Sequence, residues 1–483
     1  MSGNKFFKKS CILIIAAVII IAAVLYALWN HGYFLPKWIE WKSETCYDQS
    51  GQYEILLAHK RVEIRYDDTV TWTSPEGVKV QEVLSGDIDN NQEDELILLC
   101  WKVGRYGRHK PFWVEKDEQK WSQHIFVYEY DNGDIRPKWM SSYIGQDVAE
   151  IAVSNSGGTR NRLFLTDPNG KISCWIWDSW GFTKEDKSVS FTVFGDNIIH
   201  EPIYRYGLNH DKSFSFLFEN LKDVISESDV AVINQETPLV DHPSMYSDYP
   251  RFGTPIEVGQ AIVDAGFDIV TCATNHALDK GSAGIEHTKD FFDSNYVICL
   301  GIQSGDERDY APYEIFERNG IRFALLNYTY GTNGIKIPDE NPNMVHLLMD
   351  EDKIRNDINE ARADVDFVIA FAHWGTENSE QIDDFQRKWT QIFLEEKVDV
   401  VIGTHPHVLQ PYEILTGENG HKMLIYYSIG NYISAQPEES CVKGGMAGFT
   451  VALTPAGYEV TEYKLQPLAI TWQEGRSYTV SLQ

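Results

Sequence analysis

The sequence predicts an α/β protein, with a layered α/β sandwich that follows a transmembrane helix and a small all-β domain of propeller-like character. Three observations lead to this prediction. Residues 11–29 form an apolar run without a charge, and residues 46–185 alternate short β-like runs with polar turns. From about residue 188 to residue 483, strand-like segments alternate with helical ones. Such alternation is typical of parallel strands joined by crossover helices, with antiparallel strands at the ends.

The N-terminal segment indicates a membrane anchor. The run 11–29 would span roughly 28 Å as a helix, about the hydrocarbon thickness of a bilayer. Three lysines in residues 1–10 favour a cytoplasmic N-terminus, which would leave a linker at 30–45 and both later domains extracellular. The alternative is a cleaved signal peptide, but the run is long for one and no clear small-residue cleavage site precedes the aromatic residues that follow. We therefore predict a single-pass protein of the cell membrane, with the lipid bilayer as one partner.

Composition restricts the class of partner. The chain of 483 residues carries 71 acidic and 42 basic side chains, a formal net charge of −29. A surface this acidic repels nucleic acid, so we expect no nucleic-acid partner. An acidic substrate would need a local attraction, such as a bound cation. The seven cysteines are widely spaced without a CxxC pair, which argues against a disulfide framework and against a thiolate metal site.

An acidic turn in the all-β segment resembles the calcium loops of FG-GAP type β-propellers. Its candidate ligands are Asp87, Asp89, Asn91 and Asp94. Carboxylate and amide oxygens of this kind could hold Ca²⁺, and the alternative is a solvated acidic turn between strands. The segment 147–156 repeats only the strand half of the pattern. At roughly 140 residues, 46–185 is short for a closed propeller, so a partial propeller or another small β domain is expected.

Nearly every predicted strand of the region 188–483 ends on a candidate metal ligand. The strand-end residues are Asp196, Asn234, Glu236, Asn275, His276, His373, His405 and His407. Taken singly, each has an ordinary explanation, such as a helix cap or a hydrogen-bonded core histidine. In an open parallel sheet, however, such residues meet in one crevice. Imidazole, carboxylate and amide oxygen together predict a site for Mn, Zn or Fe.

The motifs that contain these residues resemble the CapA family of capsule and poly-γ-glutamate biosynthesis proteins, which is itself similar to calcineurin-like metallophosphatases. The matching pieces lie within 190–435, in the order FGDNI, INQETPL, CATNHALDKG, AHWGTE, GTHPHVLQP and YSIGNYI. The resemblance implies a sandwich of metallophosphatase type that binds one or two divalent transition-metal ions. In the GTHPH turn, we expect Gly403 to let the backbone bend.

The resemblance also implies a role for each ligand. One metal ion would be held by Asn275, His373 and His405, with Glu236 in the place of the bridging carboxylate. The second ion would be held by Asp196 and His407. His276 matches the histidine that metallophosphatases use toward the leaving group, so it is the catalytic candidate.

Two departures from the metallophosphatase pattern bear on activity. Ile198 stands where a histidine ligand is usual, and Glu236 replaces an aspartate. One metal position is therefore short of a nitrogen ligand, which makes a mononuclear or weakly bound metal an alternative.

Three functional hypotheses follow from the sequence. The first is a metal-dependent hydrolase or phosphoesterase that acts on an anionic capsule or cell-wall polymer such as poly-γ-glutamate. The second is a non-catalytic accessory protein that holds such a polymer for membrane polymer-synthase subunits. The third is a surface ligand-binding protein with a vestigial site. Fold resemblance alone does not separate these hypotheses.

Overall fold

The computed structural model describes residues 3–106, 112–158, 160–304, 310–473 and 475–483, with side chains from residue 14 onward. The chain divides into two compact units. Unit one is Met1–Asp186 with Thr454–Gly457, and unit two is Lys187–Leu453 with Tyr458–Gln483.

Unit one begins with helix α1, Gly3–Asn30. The predicted anchor at 11–29 starts among residues whose side chains lie outside the described part of the chain. Within that described part, no helix is both long enough and apolar enough to cross a membrane. The predicted transmembrane helix is therefore not confirmed.

The rest of unit one is built from antiparallel β-strands. They are β1 Glu44–Tyr47, β2 Tyr53–Ala58, β3 Arg61–Tyr66, β4 Thr69–Thr73, β5 Lys79–Gly86, β6 Glu95–Val103, β7 Trp121–Asp131, β8 Asp134–Met140, β9 Glu150–Ser154, β10 Arg162–Thr166, β11 Ile172–Asp178 and β12 Gly181–Glu185. They pair into three four-stranded sheets, in the spatial orders β1-β2-β3-β4, β5-β6-β7-β8 and β12-β11-β10-β9.

The middle sheet of unit one contributes to two hydrophobic cores. Successive side chains of a strand point to opposite faces. Along β6, Leu96 and Leu98 therefore pack into the core shared with the first sheet, whereas Ile97 and Leu99 pack into the core shared with the third. Three consecutive sheets of this kind make an all-β region, but a propeller arrangement is not confirmed.

Unit two contains both helices and strands. Its helices are α2 Glu201–Asn209, α3 Lys222–Glu227, α4 Ile256–Ala265, α5 Gly281–Ser294, α6 Glu351–Ala363 and α7 Asp384–Glu395. Its strands are β13 Ser188–Asn197, β14 Val230–Gln235, β15 Leu239–Val240, β16 Thr254–Pro255, β17 Ile269–Thr271, β18 Ile298–Leu300, β19 Tyr313–Arg318, β20 Ile321–Thr329, β21 Phe367–His373, β22 Val400–Thr404, β23 Tyr412–Thr416, β24 Lys422–Tyr426, β25 Asn431–Ile433, β26 Lys443–Thr454, β27 Gly457–Gln473 and β28 Ser477–Leu482.

Two mixed sheets form the centre of unit two. Sheet A has the order β18-β17-β14-β13-β26-β27-β28, with β25 also paired to β13, and sheet B has the order β19-β20-β21-β22-β24-β23. The strands β13, β14, β17 and β18 of sheet A run parallel, as do β20, β21, β22 and β24 of sheet B. The carboxyl ends of each parallel set therefore lie along one edge of its sheet.

The two sheets pack face to face and carry helices on their outer faces. Side chains such as Phe191 of sheet A and Phe323 of sheet B share the core between the sheets. Helices α2 to α5 cover the outer face of sheet A, and α6 and α7 cover that of sheet B. The predicted layered α/β sandwich is thus confirmed, as four layers in the order helix, sheet, sheet, helix.

Candidate metal centre

The predicted ligands lie at the carboxyl ends of strands from both sheets. In sheet A, Asp196 lies at the end of β13, Glu236 directly follows β14, and Asn275 lies in the loop after β17. In sheet B, His373 ends β21, and the turn after β22 supplies the two remaining histidines. All six predicted ligands are buried.

Short contacts join the ligands of the two sheets. His373 Nε2 lies 2.9 Å from Asn275 Oδ1, and His407 Nδ1 lies 3.0 Å from Asp196 Oδ2. The backbone N–H of His405 donates to the same Asp196 oxygen over 3.1 Å. Glu236 Oε1 lies 3.9 Å from His373 Nε2 and 3.8 Å from His407 Nε2. The structure therefore brings all six together in one buried cluster.

Glu236 lies in the middle of this cluster. Its ligand atoms fall within 4.8 Å of those of His405 and His407, and also of those of Asp196 and His373. Among the described residues, neither carboxylate oxygen of Glu236 has a hydrogen-bond partner, and the buried Nδ1 of His405 has none. Buried polar atoms are rarely left unpaired in proteins. These orphaned oxygen and nitrogen atoms fit a divalent metal ion as the missing partner.

The protonation states of the cluster follow from burial. Burial, and next the negative charge of Asp196, raises the pKa of Glu236 well above its usual range. Burial also lowers the pKa of His373 and His405 well below the usual range for histidine, and the neighbouring histidines add to this effect. Neutral imidazoles are the form that binds a metal ion.

The backbone of the two histidines after β22 is unusual. His405 has φ 96° and His407 has φ 62°, in the left-handed region that costs an ordinary residue about 1 kcal/mol or more. Gly403, by contrast, lies within β22 and does not have a positive φ, so the predicted bend there is wrong. A Cβ at Gly403 would lie 1.9 Å from the carbonyl oxygen of Tyr427, so glycine is needed for close approach of backbone.

His276 lies beside the cluster and is oriented by an aspartate. Its Nδ1 is 2.7 Å from Asp279 Oδ2, and that same oxygen accepts the backbone N–H of Phe252 over 2.7 Å. The ring of Phe252 packs edge-on against His276, with 4.8 Å between centroids. Since Nδ1 is engaged by Asp279, Nε2 is the ring atom left to exchange a proton with a substrate.

Several supporting residues have contacts that the sequence does not predict. Asn234, a strand-end candidate ligand that the family resemblance assigns to neither ion, donates from Nδ2 to Asp196 Oδ1 over 2.8 Å and accepts from the Thr271 hydroxyl over 2.8 Å. The ring of Tyr330 packs at a tilt of 47° against that of His405, with 4.6 Å between centroids, and Asn333 accepts from Asn275 Nδ2 over 3.3 Å. The last two follow β20, which carries no ligand. In the sequence, only the position of their loop after a parallel strand indicates that these two residues could lie near the site.

The acidic turn of unit one has a different arrangement. Asp87 and Asp89 group with the buried Glu95, and the Lys138 ammonium contacts both Asp89 and Glu95. Asp94 Oδ2 instead accepts the backbone N–H of Gln49 over 2.9 Å. Asn91 Oδ1 accepts the backbone N–H of Glu93. Each predicted calcium ligand thus contacts protein groups and Lys138 supplies a positive charge, but the buried Oδ1 of Asp94 has no hydrogen-bond partner among the described residues.

Comparison with known proteins identifies the family. Residues 190–436, just over half of the chain, match the family described as "Bacterial capsule synthesis protein PGA_cap". The chain belongs to this family. Within the bacterial capsule synthesis family, it is 26% identical to the "PGA biosynthesis protein CapA" of Bacillus subtilis (strain 168) over 260 residues, which are 53% of this chain and 65% of the relative. It is also 26% identical to the "Capsule biosynthesis protein CapA" of Bacillus anthracis over 267 residues, 52% of this chain and 61% of the relative. The match thus spans less than two thirds of either relative.

Solved structures show a weaker likeness. A novel phosphatase from Mycoplasma pneumoniae is 13% identical, with a TM-score of 0.36, and the match covers 58% of this chain and 93% of that chain. The NAD nucleotidase of Haemophilus influenzae is 12% identical, with a TM-score of 0.36, covering 60% of this chain and 54% of that chain. Such scores assign neither a site nor an activity to this member of the capsule synthesis family.

Proposed function

We propose that this chain is a membrane-anchored, extracytoplasmic protein that acts in the synthesis, processing or export of an anionic capsule or cell-wall polymer such as poly-γ-glutamate. In this proposal it works through a divalent metal centre in a sandwich of metallophosphatase type. The observation that carries the proposal is the buried Glu236 carboxylate without a hydrogen-bond partner, surrounded by ligands from two sheets, in a chain of the capsule synthesis family.

The metal would be Mn, Zn or Fe, and one or two ions would bind. Glu236 would contribute to both positions, since its ligand atoms lie within 4.8 Å of ligands assigned to each ion, His373 and His405 for the first and Asp196 and His407 for the second. When bound, the ion would supply Lewis acidity. The protein itself would orient the ligands through the contacts of Asp196 and hold the proton-transferring His276 through Asp279.

Metal content tests this part of the proposal. We expect the purified full-length chain to hold one or two transition-metal ions after metal-supplemented purification, as measured by elemental analysis. His405→Ala should lower the content strongly, whereas His276→Ala, which removes a neighbouring imidazole that is not a ligand, should leave most of it. Absence of metal from the unsubstituted protein, or equal losses in the two variants, would reject this assignment.

Two roles at the polymer remain to be separated. The His276–Asp279 pair beside the cluster favours a hydrolytic role, whereas Ile198, which is buried and offers no ligand, favours an accessory role. Incubation of the metal-loaded protein with poly-γ-glutamate, followed by measurement of chain length, distinguishes them. Shortening that is lost in His276→Ala would establish a hydrolase, and unchanged length together with binding would establish an accessory protein.

The membrane anchor is also part of the proposal. From residue 14 onward, α1 carries exposed apolar side chains, for example Ile14 at 63% and Ile19 at 62%. A helix that exposes apolar side chains on all sides favours lipid as its surroundings. We expect the full chain to fractionate with membranes and a variant without residues 1–29 to leave them. Protease added to intact cells should digest both units, and protection of both would reject an extracellular location.

A further inference from the structure

Two cationic side chains lie on the segments that adjoin His276. Arg251 is in the loop 247–253, whose Phe252 packs against His276, and Lys280 follows His276 by four residues. The loop 247–253 is closed by backbone hydrogen bonds between Ser247 and Gly253, 3.2 Å and 3.0 Å long. It is fixed to the segment after His276, because Asp279 accepts the N–H of Phe252 and Lys280 Nζ donates to Ser247 Oγ over 2.7 Å. These hydrogen bonds therefore hold the loop against the side of the site that carries His276, which is called the wall below.

The two cations of this wall form no ion pair with any described residue. Arg251 is exposed, and no described residue forms an ion pair or hydrogen bond with its guanidinium group. Lys280 has a serine hydroxyl as its partner and, in the described part of the chain, no carboxylate within ion-pair distance. Burial, and also the charge of Arg251, lowers the pKa of Lys280, although Asp279 opposes this effect. Two cations without an ion-pair partner stand out on a chain with a net charge of −29.

The opposite wall of the site has the reverse charge. Exposed Glu377 follows β21 by a few residues, and the backbone N–H of the adjacent Asn378 donates to the carbonyl of Pro406, between the two histidines of sheet B. Asn378 Oδ1 lies 3.1 Å from Cys441 Sγ, which brings the exposed Glu438 to the same side. An anionic chain would thus be repelled from the sheet B side and attracted to the sheet A side.

We propose that Arg251 and Lys280 form a cationic rim that binds a carboxylate of the polymer chain and so positions the adjacent linkage beside His276. This inference rests on the proposed function, because it names the part of the site that recognises the polymer. Arg251 would provide a planar pair of donors for the carboxylate, and Lys280 would provide a point charge. Attraction of this kind weakens as salt screens the charges.

Binding of poly-γ-glutamate to the full-length, metal-loaded chain tests the rim. We expect Arg251→Gln and Lys280→Gln each to weaken binding about tenfold, the effect of losing one charge-assisted hydrogen bond. Both variants should keep the metal content of the unsubstituted protein. The matched control is Lys422→Gln, an exposed lysine at the start of β24, which lies at the opposite end of sheet B from His405. The control should bind as the unsubstituted protein does. Added NaCl should weaken binding, except in the variant that carries both Arg251→Gln and Lys280→Gln.

The outcomes separate the rim from the proposed function. If the unsubstituted chain binds metal but no poly-γ-glutamate, the polymer assignment of the whole protein fails, and the rim fails with it. If the chain binds the polymer and both rim variants bind equally well, only the rim is overturned. Polyphosphate that binds as tightly as poly-γ-glutamate, with the same dependence on Arg251 and Lys280, would overturn the carboxylate preference.

Discussion

At the scale of single residues, the most informative feature is the backbone of His405 and His407. Both have a positive φ, at 96° and 62°. Residues held in this region cost free energy and are found where a site requires them. The strain aims two imidazoles from one short turn at the same carboxylate, Glu236, whose ligand atom lies within 4.8 Å of both.

This strain can be measured by comparing glycine with alanine, since both substitutions remove the imidazole. At His407, we expect the glycine variant to be more stable than the alanine variant by about 1 kcal/mol in metal-free protein, because glycine adopts a positive φ without steric cost. His373, in β21, is the control, and there the order should reverse because glycine weakens a strand. Urea denaturation gives the free energies of unfolding. The same order at both positions would contradict the argument.

At the scale of elements, β13 and β22 each contain a glycine at a point where another stretch of backbone approaches closely. This close approach allows the strand ends to place their ligands at the site. A Cβ at Gly195 would lie 1.8 Å from the carbonyl oxygen of Gly430, and one at Gly403 would lie 1.9 Å from that of Tyr427. Backbone atoms cannot move aside as a flexible side chain does, so a larger residue would displace the strand end and the ligand that follows it.

Gly403→Ala should therefore destabilise the protein by about 1–3 kcal/mol, the usual range for overpacking a core, and should lower its metal content. Gly331→Ala is the matched control, because a Cβ there meets no atom within 4 Å. Thermal denaturation and elemental analysis of both variants provide the measurements. A Gly403→Ala protein with unchanged stability and metal content would show that the strand end adapts.

In unit one, β7 contains a buried histidine that makes stability depend on pH. Burial, and next the charge of Lys102, lowers the pKa of His124 to about 4. In the unfolded chain, His124 gains a proton as the pH falls through about 6.5, whereas in the folded chain it does so only near 4. The free energy of unfolding should therefore fall between these values, by on the order of 2–3 kcal/mol from this residue.

The comparison of unsubstituted protein with His124→Gln isolates this contribution. As the pH is lowered from 7 to 4, the free energy of unfolding of the unsubstituted protein should fall relative to that of the variant. His59→Gln, at an exposed position in the same unit, serves as the control. A difference that stays constant over this range would show that His124 has the same pKa in the folded and the unfolded chain, and would contradict the argument.

At the scale of the whole molecule, the metal ligands come from two different sheets of unit two. Asp196, Glu236 and Asn275 belong to sheet A, and His373, His405 and His407 belong to sheet B. A metal ion would therefore connect the carboxyl ends of the two sheets. None of the predicted transition-metal ligands lies in unit one, so binding should stabilise only the other unit.

Calorimetry of the full chain should accordingly show two transitions, and Mn or Zn should raise the midpoint of only one. At a free metal concentration of about 100 times Kd, the stabilisation of unit two is about 2.7 kcal/mol. In His405→Ala the same addition should have little effect. A shift of both transitions, or of neither, would contradict the assignment of the site to unit two.

The sequence predicts more of the site than of its surroundings. Asp196 and Glu236 could be placed near each other because the parallel strands β13 and β14 end along one edge of a sheet, a rule that needs only the order of elements. The left-handed φ of His405 and the contact of Gly403 with Tyr427 could not be predicted, because they depend on the path that the backbone takes at the ends of the neighbouring strands β22 and β24. The contact of Asp279 with His276 could not be predicted either, because it requires the turn between these two residues to close.

The Lys138 contact in unit one has a practical consequence for purification. The ammonium group of Lys138 supplies one positive charge to the carboxylates of Asp89 and Glu95, so the acidic turn carries a counterion that belongs to the chain itself. Such a counterion cannot be removed by a chelator, so we expect chelation to act on the cluster of unit two and to leave unit one folded. The same sample would thus contain an internal standard for concentration and folding during metal titration, without a second protein or a fusion tag.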